Sequence, residues 1–171
     1  METILVKHMI KENTIGANIN IMGIAKRLSI EIKVESNLND LGKVYIDKNE
    51  NVIISLNENS DKQTKYTLMV IAVADYILTP TKIMRTGIVY DMFFLNDIFA
   101  HRHSYRMLLA TRLAFPEHII DKLCSNSGVE SGSFSYADFI ANSNYLSQFI
   151  RSCIDDSSAL FLLKNTSELP I

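Results

Sequence analysis

The residue types from which a metal or proton-transfer site is usually assembled are sparse in this chain. His101-Arg102-His103 is its one histidine cluster, and Asp75 is the one carboxylate set inside a long apolar run. On a helix, residues two apart face different ways, so His101 and His103 share a metal only from a loop or strand; solvated imidazoles at a polar helix start are the plainer reading. A carboxylate at Asp75, if buried, needs a partner or a raised pKa. A partly wet edge is one resolution, and pairing with an arginine such as Arg85 or Arg106 is the other. His8 and His118 stand alone. Cys124 and Cys153 lie far apart with no zinc-knuckle or C-x-x-C spacing, which predicts reduced thiols in a cytoplasmic protein. There is no P-loop, G-x-G-x-x-G or G-x-S-x-G, and six glycines leave little room for a phosphate cradle.

The elements that must position these groups are legible from periodicity. Residues 19–28 space apolar side chains as a helix, with Lys26 and Arg27 at its C-terminal end, where cations suit the helix dipole. Ile30-Glu31-Ile32-Lys33-Val34-Glu35 alternates strictly and predicts a strand with one wet face. Strands over 42–47 and 52–56, joined by Lys48-Asn49-Glu50-Asn51, predict a hairpin. Ser60 followed by Gln63 resembles a capping box and starts a helix near Asp61. Residues 66–78 are apolar on nearly every side and end before Pro80, the mark of a central helix covered on several faces. Further helices are expected over 81–99, 103–114 and 116–123, the last begun by Pro116. A polar, glycine-bearing loop follows at 125–133, then short helical patterns at 136–141 and 145–153. Residues 159–163 fit a strand or a docked tail.

At 171 residues, 47% hydrophobic and 21% charged, the chain is sized for one domain with a substantial core. A net charge of −2 and a pI near 6.1 give no global electrostatic reason to bind nucleic acid or anionic membrane. The start METILVKHMIKEN lacks the apolar core of a signal peptide, and the longest uncharged apolar run, 68–74, falls well short of the ~18 residues a span needs. A cytoplasmic protein is expected.

Several segments resemble, in order, the ImmA/IrrE family of zinc-metallopeptidase-like domains. Residues 18–32 are similar to that family's opening helix and first strand, and residues 43–57 to its hairpin. Lys65-Tyr66-Thr67-Leu68 stands where the family carries a basic residue, an aromatic, Thr and an aliphatic just before its catalytic motif. Leu109-Ala110-Thr111-Arg112-Leu113-Ala114-Phe115-Pro116-Glu117 resembles the F-A-x-x-L-L-M-P-E segment closing the third-ligand helix. The resemblance covers about residues 18–123. In active members an H-E-x-x-H follows the Thr-aliphatic pair, its histidines binding zinc and its glutamate activating the metal-bound water. Counting from Thr67 puts those positions at Val70, Ile71 and Ala74; counting back from Tyr76-Ile77-Leu78 puts them at Ile71, Ala72 and Asp75. Neither register holds a histidine or a glutamate. The third ligand falls at Tyr105, a poor ligand at neutral pH.

The resulting expectation is an α+β protein: a small antiparallel hairpin in a three-stranded sheet packed on a mainly helical domain, a zincin-like core around a central apolar helix. Residues 1–125 would form the metallopeptidase-like part and 126–171 a helical extension packed on it. The resemblance implies a pseudoenzyme with no catalytic residue, metal or cofactor, encoded by a phage or mobile element. It would act in transcription regulation by binding a protein such as a helix-turn-helix repressor. Asp75, His101, His103 and Tyr105 are the candidates for partner binding in the vestigial cleft. If Asp75 and His103 reach solvent, replacing either with Ala should leave folding nearly intact. The same four residues would serve the alternative, a metal-dependent peptidase with a rebuilt site. A second alternative is a nucleic-acid-binding regulator using residues 137–153, which resemble a helix-turn-helix. Against it, two cations face five carboxylates from residue 123 onward. The apolar residues of 88–99 exceed what one helix face needs, so part of that surface is expected to meet a partner or a second copy of the chain.

Overall fold

The computed structural model describes residues 3–15, 18–97, 104–115, 117–125, 145–154 and 156–164. It is a mixed α+β fold. Helix α1 (Thr3–Glu12), not foreseen from the sequence, leads into a two-strand ladder of β1 (Thr14–Ile15) and β2 (Asn18–Ile19) and then α2 (Ile21–Arg27). Asn20 caps α2 by accepting from the Gly23 amide. Strand β3 (Ile30–Glu35) follows as the alternation predicts, and β4 (Gly42–Ile46) and β5 (Val52–Asn57) form the expected hairpin. The β4–β5 hairpin closes on Asp47, whose Oδ1 accepts from the amides of Asn49 and Asn51 at 2.8 and 2.9 Å. Those bonds hold the Asp47 carboxyl below its usual range.

The sheet corrects the three-stranded expectation. It has four strands in the order β3-β5-β4-β6, with β3 parallel to β5 and the remaining pairs antiparallel. The fourth strand, β6 (Ile88–Tyr90), comes from the stretch read as one helix over 81–99. That stretch divides into α4 (Thr81–Thr86), β6 and α5 (Met92–Asn96). Gly87 ends α4 at φ 83°, a conformation that strains L side chains, and a Cβ there would stand 3.3 Å from Tyr45 Cβ. Asp91 then caps α5 through the Phe94 amide. Apolar density alone does not separate a three-residue strand from a helix; the Gly and Asp on either side do.

The central helix α3 (Lys62–Leu78) is buried along nearly its whole length, with Leu68 and residues 70–74 inaccessible to solvent. Its cap is Asp61, which accepts from the Thr64 amide and hydroxyl at 2.8 and 2.9 Å, not Ser60. Strand β5 is buried on both faces from Val52 to Leu56. Helix α6 (Tyr105–Ala114) packs along α3, and α7 (Glu117–Ser125), α8 (Tyr145–Ile154) and α9 (Ser157–Lys164) complete the core. The stretch 159–163 is therefore helical, begun where Asp156 accepts from the Ser158 amide. Of the loop predicted at 125–133, Ser125 instead ends α7 and the rest lies outside the described residues, as do the helical pattern at 136–141 and the first half of the helix-turn-helix pattern. Among the described residues no helix is long and apolar enough to cross a membrane.

Among the described residues one buried side-chain polar atom has no partner. Thr67 is fully buried in α3, and its hydroxyl makes no hydrogen bond among the described residues. Replacing Thr67 with Val should raise stability by about 1 kcal/mol, since the desolvated hydroxyl is removed at nearly constant shape. Thermal unfolding of the variant measures this; an unchanged or lower midpoint would mean the hydroxyl is satisfied after all.

Candidate functional site

Asp75 sits in the last turn of α3, Tyr90 ends β6 and Arg106 lies in the first turn of α6. The Tyr90 hydroxyl donates to Asp75 Oδ2 at 2.6 Å, and Arg106 Nε donates to Asp75 Oδ1 at 2.5 Å. Asp75 is only 2% exposed, whereas the Arg106 side chain reaches solvent with a third of its surface. Phe94 of α5 completes the group: its ring centroid is 5.3 Å from that of Tyr90, and the Arg106 guanidinium lies 5.5 Å over it.

Burial raises the Asp75 pKa above its ordinary value, opposed by the charge of Arg106 and by both hydrogen bonds. Burial, reinforced by the neighbouring carboxylate, pushes the Tyr90 hydroxyl well up, so it stays a donor. Each carboxylate oxygen thus receives one strong donor. A carboxylate held this way is a poor general base and a poor metal ligand, because either task requires displacing a partner.

The sequence-predicted site residues are only partly brought together. Asp75 pairs with Arg106, one of the two arginines expected; Arg85 instead bonds Glu50 at 2.6 Å beside the hairpin turn. Asp75 does not reach solvent, so the expectation that its removal leaves folding intact fails at its premise. Tyr105 is 49% exposed, and its neighbour Arg106 makes the contact with Asp75. His101 and His103 lie outside the described residues. Tyr90 was missed because its strand was read as helix, although an Ile-Val-Tyr run between Gly87 and Asp91 carried the signal. At the other positions counted for the metal motif, Val70, Ile71, Ala72 and Ala74 are all fully buried core. Among the described residues, no three His, Cys, Asp or Glu side chains are grouped to hold a metal ion.

Beside this cluster runs an open groove of about 620 Å³ lined by Asp91, Phe93, Phe94, Asn96 and Asp97. Phe93 is 81% exposed, and Val89 and Met92 are also turned outward; Leu95 is buried, and Ile88 and Phe94 are half-buried. Ile98 and Phe99 lie outside the described residues. Compared with known proteins, the chain matches no family model, no curated protein and no solved structure.

Proposed function

We propose that this chain is a non-catalytic, protein-binding regulator on a metallopeptidase-like scaffold of ImmA/IrrE type, with a zincin-like core around α3. One observation carries the reading: the positions where the resemblance would place the metal-binding motif are occupied by tightly packed aliphatic side chains. Val70, Ile71, Ala72 and Ala74 have no lone pair to offer, and Asp75 is engaged by Tyr90 and Arg106. The partner is a protein, and the resemblance points to a helix-turn-helix repressor of a phage or mobile element. Val89, Met92 and Phe93 supply apolar surface for such a contact.

The test is reconstitution with the helix-turn-helix repressor encoded nearest the chain's own gene, followed by size-exclusion chromatography and mass spectrometry. The expected result is co-elution with an intact repressor, unaffected by a metal chelator. Cleavage of the repressor that a chelator abolishes would restore the peptidase reading. Failure to co-elute, with no other stoichiometric protein captured from the source cell, would remove the regulator reading.

A further inference from the structure

Strand β3 lies at the edge of the sheet, with β5 as its only strand neighbour among the described residues. The Glu58 amide donates to the Glu35 carbonyl at 3.0 Å, which fixes the direction of the backbone groups along β3. Because that direction alternates residue by residue, Glu31, Lys33 and Glu35 address β5, and Ile30, Ile32 and Val34 turn their N–H and C=O groups outward. Ile30, Glu31 and Ile32 of this strand line an open groove of about 620 Å³ together with Met22 and Lys26 of α2. Val34, on the apolar side of the strand, is nevertheless 58% exposed.

We propose that β3 pairs antiparallel with β3 of a second copy of this chain, so that one sheet runs through both molecules. The side chains select both the occupant and the register. When Ile32 is placed opposite the second copy's Ile32, Ile30 falls opposite Val34, and each such pair exchanges two backbone hydrogen bonds. In the intervening pairs, where side chains approach most closely, Glu31 of each copy falls opposite Lys33 of the other. In a single copy these two side chains reach for each other along the strand at 3.4 Å, each about half exposed to solvent. Shifting the centre of symmetry to Lys33 would oppose Lys33 to Lys33 and Glu31 to Glu35, so charge excludes the neighbouring register. Moving it on to Val34 restores opposite charges but sets Ile32 against Ser36 and calls on Glu35, which already accepts from Ser55 at 2.6 Å. Charges on an edge strand normally deter pairing with foreign strands; here the spacing makes the strand complementary to itself.

Sedimentation equilibrium of the full chain over the widest attainable concentration range, with variants at this strand, tests the proposal. The expected result is a monomer–dimer equilibrium. Glu31→Lys, which opposes two lysines at each site, should weaken it by on the order of tenfold. The charge-reversed pair Glu31→Lys with Lys33→Glu should restore it. Ile32→Pro, which removes an outward N–H that β5 does not use, should abolish the dimer while leaving the far-ultraviolet circular dichroism unchanged. A parent chain that stays monomeric at every concentration overturns the proposal. So does a dimer indifferent to Ile32→Pro or to Glu31→Lys, or one that the double reversal fails to restore.

Discussion

Installing the H-E-x-x-H that the resemblance to ImmA/IrrE domains would place in α3, with Ile71→His, Ala72→Glu and Asp75→His in one chain, should cost on the order of 5 kcal/mol or more, a large part of the stability of a domain this size. Ile71 and Ala72 are inaccessible to solvent, so each new polar group is desolvated without a prepared partner, and removing the isoleucine loses packing at a fully enclosed position. The third change also strips Tyr90 and Arg106 of their shared acceptor. Tyr105 stands where the resemblance would place a third ligand, so the installed side chains would gain no complete coordination shell. The variant should be unfolded or only partly folded by near-ultraviolet circular dichroism, with or without added zinc, and should show no peptidase activity. A variant as stable as the parent that takes up one zinc would mean that this stretch of α3 can accommodate a metal site.

Replacing Asp75 alone should have the next largest effect. Asp75→Ala leaves a buried tyrosine hydroxyl and a guanidinium without their acceptor, a loss of about 2–4 kcal/mol once the partial exposure of Arg106 is allowed for. Asp75→Asn retains an acceptor and should cost less. The two variants also separate packing from charge in their response to pH. Because burial lifts the Asp75 pKa above 3.8, the folded chain holds this proton more tightly than the unfolded one. Its contribution is therefore fully present below the unfolded value and is lost as pH rises through the folded value. Asp47 and Asp61 act in the opposite sense: their pKa values are lowered, so their contributions are present above the unfolded value and fall away on acidification. Comparing parent with Asp75→Asn cancels those common terms. The parent's advantage should grow as pH falls from the folded value toward 3.8. An advantage that shrinks on acidification would show that the carboxylate, not the carboxylic acid, is the form the fold prefers.

How far these features were visible in advance depended on whether the signal was local. Helix α3 was legible because its apolar run has no wet face, and the hairpin because Asp47 and the asparagines after it supply their own turn chemistry. The strict alternation of 30–35 gave β3, but nothing in it disclosed that β3 pairs in parallel with β5 and not with the strand that follows it; strand order is set by long-range packing. Strand β6 was hidden in an apolar stretch that satisfies a helix equally well, and losing it also lost Tyr90. Asp75 was recognisable as needing a partner, and Arg106 was one of two arginines within reach of that argument. The cap at Asp61 was misplaced by one residue because Ser60 and Gln63 mimic a capping box that the chain does not use.

The strand order β3-β5-β4-β6 also carries a consequence for how the chain assembles. The β4–β5 hairpin closes over a turn of a few residues, an event of about 1–10 μs. Strand β3 must reach β5 across the intervening β4, and β6 must return to β4 across the whole of α3 and α4, as the pairing of Val44 with Ile88 requires. Longer closures are entropically dearer and slower. The edge strand β6, and with it the bracket of Tyr90 and Arg106 on Asp75, is therefore expected to form late, which φ-values near zero at Tyr90 and Arg106 would check. Its interactions govern how fast the finished molecule comes apart more than how fast it is made.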